Sequence, residues 1–435
     1  MQDWNDLVWP KADFSAVPLA VITDQDVYDR EQKRIWRGPV WLCLGHEAQI
    51  PNPGDFFTTY AGDVSVVVNR AEDGTVHALI NRCAHRASLV VREPKGHRLD
   101  HTCVYHRWCY DLKGNLIGVP FERGAGGKGG MPKDFKKSEH SMKGLATDTY
   151  AGIIWASFDP EVEPLEDYLG NTMKYSLDRM FSKPVEVMGT MRQRLNSNWK
   201  SYWENLNDGF HAGLLHQMPA IFGLHANTQE GALVLDKYGR HATYWVKVED
   251  EDPDNRGMDA GAATDHVFGD LKLADPKFLD FKDEWGDRVS VSTMSIFPSV
   301  LIAQLSNFLM IRQIRPKSPR EFELYWTILG YVGDDPELRT MRQRNVAWMG
   351  PGGCISMEDS ESGSLIQRAA RGQGEEYEYI AMGGQGEIDN SDTVITEVPV
   401  RAFWRYYCYL MGFAPEGAPP LDRGTWKPIE AIDGY

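Results

Sequence analysis

Two short patterns limit what this chain can fold into more than any other feature. They are Cys83-Ala84-His85 and, after residues 86–102, Cys103-Val104-Tyr105-His106. One Cys and one His in each stretch supply two thiolates and two imidazoles. That is the donor set of a [2Fe–2S] cluster with one iron held by sulfur and the other by nitrogen. A Cys2His2 zinc site uses the same side chains, although zinc knuckles more often put both Cys in one stretch. Around the patterns the chain reads as short strands and turns. Residues 56–60, 64–69 and 76–81 are rich in β-formers, with Asp73-Gly74 as a hairpin turn. Residues 103–110 and 116–119 continue the texture across Lys113-Gly114-Asn115, 123–132 make a glycine-rich surface loop, and 152–158 read as a closing strand. Both patterns are therefore expected on neighbouring loops of a small all-β domain. Arg86, Arg107 and Trp108 flank the donors, where they can shield them and tune their chemistry. Cys109 reads as a packing residue, and Cys43, Cys354 and Cys408 as ordinary buried thiols.

A chain of 435 residues exceeds one ordinary core, so the β region is expected as an insert within a larger α+β domain: 1–38 and 160–435 around 39–159. Helices are expected at 26–36, 164–181, 196–211 (capped by Asn196 or Ser197), 336–349, 357–371 and 398–411. Strands are expected at 185–195, 242–248, 289–297, 308–315 and 321–331. The acidic, Gly-rich stretch 250–265 reads as an exposed loop. Asp and Glu number 62 against 46 Lys and Arg, a net −16 that repels phosphate backbones and argues against nucleic acid as a partner. Apolar runs are strand-sized rather than membrane-sized, the first residues lack the apolar core of a signal peptide, and six scattered Cys do not make a secreted disulfide framework. A cytoplasmic protein is the expectation.

A second constellation lies in the segment ending Trp203-Glu204-Asn205-Leu206-Asn207-Asp208-Gly209-Phe210-His211, five residues before His216. On a continuous helix Glu204, Asp208 and His211 would share one face. A non-haem Fe(II) that activates dioxygen takes two His and one carboxylate and leaves other positions open. His211 and His216 fit the imidazoles, and Glu358, Asp359 and Glu361 at a helix start offer three choices of carboxylate. A one-electron cluster and an open iron site make a working pair, because dioxygen activation consumes electrons delivered singly.

With both constellations in view the chain resembles the large subunits of Rieske aromatic-ring-hydroxylating dioxygenases, nearest the group that includes the terephthalate and anthranilate dioxygenases and salicylate 5-hydroxylase. The likeness runs through IPNPGDF (50–56), NRCAHR (81–86), HTCVYHRW (101–108), GNLIGVPF (114–121), NWKSYWENLNDGFHAGLLH (198–216), ISMEDSE (355–361) and DTVITE (392–397). The resemblance implies an all-β Rieske domain inserted in a helix-grip (START-like) catalytic domain with an antiparallel sheet. It implies Cys83 and Cys103 on one cluster iron, His85 and His106 on the other, and His211, His216 and Asp359 on a mononuclear iron. It implies that Asp208 bridges His106 of a neighbouring subunit to His211 of its own, and that Asn205 sits near the open positions. Implied partners are a small β subunit in an α3β3 hexamer (or α3 alone), a reductase or ferredoxin passing electrons from NAD(P)H, dioxygen and a small aromatic carboxylate.

Arg312, in Leu309-Met310-Ile311-Arg312-Gln313-Ile314, aligns with an arginine that holds a substrate carboxylate in terephthalate enzymes, and guanidinium suits that task. The alternative is an exposed strand position paired with a neighbouring acid. The family's usual Asp-Pro-Tyr-His is here Asp208-Gly209-Phe210-His211, and residues 380–387 hold no second basic residue for a dicarboxylate. Two other functions keep parts of the pattern: a Rieske monooxygenase (a ring hydroxylase or demethylase), and an electron-transfer or ligand-binding protein without the mononuclear iron.

Overall fold

The computed structural model describes residues 9–222, 229–248 and 273–418 together with Leu7, Leu224, Asn227 and Leu421; the stretch 250–265 lies outside the described residues. Residues Trp36–Leu165 form one compact unit, and the flanking segments together form a second. No helix among the described residues is long and apolar enough to cross a membrane.

The smaller unit is all β. Four strands pair in the order Val76–Ile80, Val64–Arg70, Asp55–Ala61, Lys95–His97, and two three-stranded sheets complete it. Val66, Val67 and Val68 are all buried, which branched side chains on both faces of a covered strand favour. Gly74 at φ 84° makes the hairpin turn that Asp73-Gly74 predicted. Residues 103–110 are not one strand. Only Cys109–Tyr110 pairs, because 103–108 fold into a loop. Cys83 and Cys103 belong to the apolar core itself, beside Phe56, Val67, Trp108 and Tyr110.

The larger unit carries, among the described residues, a sheet of seven antiparallel strands in the order Val185–Leu195, Glu321–Tyr331, Phe308–Ser318, Val300–Leu305, Val289–Ile296, Ala242–Lys247, Gly231–Leu235, besides the small pair Ala16–Pro18 and Tyr377–Tyr379. Together with its helices this makes the α+β architecture with an all-β insert that the sequence led us to expect. Two of these strands, Val300–Leu305 and Gly231–Leu235, were not foreseen; they are short apolar runs whose periodicity does not separate strand from buried helix. The helix expected at 164–181 is broken at Gly170, whose φ of 65° no helix accommodates.

The helix expected over 196–211 is the most consequential difference. It begins after Asn198, whose side chain caps Lys200 N, and ends at Leu206. Asn207 stops it by donating to the Trp203 carbonyl at 2.7 Å while accepting from Ser295 Oγ at 2.6 Å. Asn207-Asp208-Gly209 is a turn-forming run, and a short 3-10 turn, Gly209–His211, follows. Glu204, Asp208 and His211 therefore do not share a helix face. Glu204 instead accepts from Trp404 Nε1 at 2.6 Å.

Candidate active site: two metal-donor clusters

The two donor patterns of the smaller unit fold into matching loops. Cys83 N donates to Ser88 O at 2.8 Å and Ala87 N to Cys83 O at 3.1 Å; Cys103 N donates to Trp108 O at 2.9 Å and Arg107 N to Cys103 O at 3.0 Å. Each loop turns through a left-handed residue at the same place, Ala87 (φ 57°) and Arg107 (φ 58°). The same backbone device thus presents Cys at the base and His at the tip. Cys83 and Cys103 are buried, whereas His85 is exposed and His106 partly so. The imidazoles meet edge to face with centroids 4.5 Å apart. Trp108 stacks on His85 at 4.8 Å, and Tyr105 lies 3.8 Å from His106. Tyr110 Oη lies 3.2 Å from Cys83 Sγ and accepts from Ala84 N at 3.1 Å. An oxygen already accepting from an amide is free to donate its own hydrogen to a thiolate. Buried sulfurs with a hydrogen-bond donor on one side and outward imidazoles on the other suit an asymmetric [2Fe–2S] cluster. Cys109 is half-buried on its strand, Cys43 and Cys408 are buried, and Cys354 is only half-buried.

In the larger unit, His211, His216 and Asp359 are the one group of three or more His, Cys, Asp or Glu among the described residues whose donor atoms all lie within 4.8 Å of one another. They come from three segments. The helix Trp199–Leu206 is fixed by a buried network in which Glu31 accepts from Lys200 Nζ (2.6 Å), Trp199 Nε1 (2.9 Å) and Tyr407 Oη (2.6 Å). His211 and His216 follow on short turns. The helix Cys354–Ala369 brings Asp359 from far along the chain, and it packs closely because Gly363 has no Cβ: one built there would stand 2.9 Å from Ser197 Oγ.

The imidazole tautomers follow from their partners. His211 Nδ1–H donates to the Asp208 backbone carbonyl, and His216 Nδ1–H donates to Glu358 Oε2 at 2.8 Å. Each Nε2 then carries its lone pair toward Asp359 Oδ1, at 3.6 and 3.3 Å. Burial works to raise the Asp359 carboxyl, but when His211 and His216 are protonated their hydrogen bonds and charge outweigh it and hold the group well below the usual carboxylate range; with both imidazoles neutral, a bound cation would take over that role. Two neutral imidazoles and a carboxylate converging in this way are a donor set for Fe(II) with room left over. Of the three acids considered, Asp359 faces the imidazoles, Glu358 supports one from behind, and Glu361 is exposed. Asn205 Nδ2 reaches both Asp359 Oδ1 and His211 Nε2, each at 3.2 Å. The Asp208 carboxylate caps the 3-10 turn through His211 N (3.3 Å), with an oxygen 4.0 Å from His211 Nδ1; burial pushes it above its ordinary range.

A cavity of about 860 Å³, counted out to its open mouth, adjoins this group and is walled largely by apolar side chains such as Val291, Leu301, Leu305 and Ile355. Arg312 lines it too and is buried, 4% exposed. A second cavity shares Asn205, Asp208, His211 and Asp359 and adds Tyr202, Glu204, Glu378 and Glu397. Burial drives Glu378 up to about 7 against the pull of Glu204 and Lys200, and burial together with the Glu378 charge drives Glu204 well above its ordinary value. Glu378 and Glu397 were invisible to sequence reasoning, since no spacing ties them to Asp208.

Residues 40–132 match the Rieske [2Fe-2S] domain, and residues 174–412 match the catalytic domain of the ring hydroxylating alpha subunit. The chain is 41% identical to the large subunit of anthranilate 1,2-dioxygenase from Burkholderia cepacia, over 94% of its own length and 97% of that protein's. It is 39% identical to subunit alpha 2 of the terminal oxygenase component of terephthalate 1,2-dioxygenase from Comamonas sp, over 93% and 97%. It is 37% identical to the large oxygenase component of salicylate 5-hydroxylase from Ralstonia sp, over 94% and 97%. Among solved structures, naphthalene 1,2-dioxygenase from Rhodococcus sp. bound to indole superposes with a TM-score of 0.77 at 25% identity, over 92% of this chain and 95% of that one. Likeness of this extent, in both units and in their order, places the chain in the family of Rieske non-haem iron ring-hydroxylating dioxygenases, as a large oxygenase subunit with a [2Fe–2S] cluster and a mononuclear iron, supplied with electrons by a separate reductase.

Proposed function

We propose that this oxygenase hydroxylates a small aromatic carboxylate, and that Arg312 binds the carboxylate. The observation that carries the proposal is a buried guanidinium with only neutral partners in the wall of the cavity beside His211, His216 and Asp359; Arg401, as deeply buried, also bonds only to backbone carbonyls but does not line that cavity. Arg342 meets Glu284 at 2.6 Å and Asp334 at 2.7 Å, and Arg240 meets Asp236 at 3.0 Å. Arg312 has no carboxylate partner among the described residues, yet it lines the same cavity as His211, His216 and Asp359. Neither an exposed strand position nor a neighbouring acid describes it. An uncompensated buried charge costs on the order of 3–5 kcal/mol, which an anionic ligand would offset. Arg312 is also the one Lys or Arg among the described residues lining this cavity, which favours one carboxylate over two.

Cys83, His85, Cys103 and His106 would hold the cluster, and His211, His216 and Asp359 the mononuclear iron. When bound, the cluster supplies single electrons and the mononuclear iron activates dioxygen. The protein's own residues do the rest. Arg312 orients the ring in the apolar cavity, so that one edge faces His211, His216 and Asp359. Leu301, Leu305 and Val291 keep bulk water from that edge. Asn205 donates across the gap between Asp359 and His211. Asp208 links His211 to His106 of a second copy, so the active unit is an oligomer; an α3β3 assembly with a small β subunit is the form we propose, since the relatives are named as large or alpha subunits. A cytoplasmic setting agrees with six unpaired cysteines.

The test is Arg312→Leu assayed with its reductase on benzoate and on a neutral analogue such as benzamide. KM for benzoate is expected to rise by roughly 10–100-fold, the scale of a lost charge-assisted hydrogen bond, with little change for benzamide. An equal effect on both refutes the carboxylate assignment.

A further inference from the structure

The partners of Arg312 also say how it is held. Its register on Phe308–Ser318 sets it opposite Trp326 on the next strand, and the guanidinium stacks over that indole at 4.3 Å. Nε donates to Met310 Sδ at 3.2 Å, and Nη1 donates to Tyr202 Oη at 3.0 Å. Nη2 has no partner among the described residues. Because guanidinium has donors and no acceptor, the polarity of the Tyr202 contact is fixed: the phenol oxygen accepts. The hydroxyl hydrogen of Tyr202 must then point elsewhere, and it finds no acceptor among the described residues. Tyr202 is buried, on the helix that also presents Asn205; it lines the second cavity, which shares Asn205, His211 and Asp359 with the cavity that Arg312 lines, so its 3.0 Å contact with Arg312 lies where the two meet, and a hydroxyl whose oxygen accepts from a cation is a stronger donor than a free one.

We propose that Tyr202 and Arg312 form one two-part carboxylate clamp. Trp326 and Met310 lock the plane of the guanidinium and leave Nη2 to meet one carboxylate oxygen. The Tyr202 hydroxyl donates to the same carboxylate, and its oxygen keeps Nη1 from swinging away. The clamp rests on the carboxylate reading above and adds a specificity-determining residue that no spacing in the sequence marks.

Binding to the holoenzyme, without reductase and under nitrogen, is measured by calorimetry with benzoate and benzamide for wild type, Tyr202→Phe, Met310→Leu and Arg312→Gln. Cluster absorbance and iron content serve as checks. Tyr202→Phe is expected to weaken benzoate about tenfold and benzamide less than about twofold. Met310→Leu, which frees Nε without touching the ligand, weakens benzoate by a smaller factor with the same selectivity, and it carries the test if Tyr202→Phe does not fold. Benzoate binding unchanged in Tyr202→Phe, or lowered together with benzamide, overturns the clamp while selective loss in Arg312→Gln keeps the carboxylate reading. If Arg312→Gln also fails to discriminate, both fall.

Discussion

The two donor clusters are built by opposite strategies. In the smaller unit each loop supplies one Cys and one His within five residues, and the same pair of backbone hydrogen bonds shapes both loops. In the larger unit His216 and Asp359 are 143 positions apart (359 − 216), and only a helix packed through Gly363 brings them together. The first cluster is written in local sequence; the second exists only once the domain has folded. Supports differ in the same way. Tyr110 reaches Cys83 from the neighbouring loop's own strand, whereas Glu358 reaches His216 from a distant helix. A locally encoded site should tolerate changes around it, while an assembled one should depend on each supporting contact.

The sharpest way to break that contrast is Asp208→Ala. Asp208 is not a donor, and its backbone carbonyl, which accepts from His211 Nδ1–H, survives the change, so both metals should stay bound while turnover falls by roughly 100-fold or more. Iron analysis beside a steady-state assay checks this, and retained activity removes Asp208 from the account. Next comes Glu358→Gln, which weakens the acceptor behind His216. Iron affinity at the assembled site should drop by roughly tenfold with the cluster spectrum untouched, as followed by chelator competition. The mildest is Tyr110→Phe, which deletes a hydroxyl from a locally built loop. Cluster content should be unchanged and the midpoint potential should move down, because a hydrogen bond to sulfur stabilises the reduced, more negative cluster. A redox titration showing no shift would mean that the Tyr110 hydroxyl does not donate to Cys83.

The same contrast explains what could be read from the sequence. The Cys/His loops, the strands 185–195 and 321–331 and the helices 336–349 and 398–411 were legible because their signals are local. The end of the helix at Leu206 was also legible in principle, since Asn207-Asp208-Gly209 is a turn signal, but the spacing of Glu204, Asp208 and His211 suggested a continuous face. The choice of Asp359 among three acids came from family resemblance; the geometry that sets Glu358 behind His216 requires the fold. Arg312 carried a signal, a charge in an apolar strand, yet its lack of an anionic partner depends on which residues lie opposite it. Tyr202, Trp326 and Glu378 carried none, because their roles depend wholly on register and packing.

The central claim is that one chain holds a locally encoded cluster and a separately assembled iron. Iron and acid-labile sulfide should be counted per chain in wild type, Cys103→Ser and His216→Ala. The account predicts roughly three irons in wild type, about two in His216→Ala with the cluster spectrum intact, and about one in Cys103→Ser. Two irons in wild type, or loss of the cluster in His216→Ala, would contradict it.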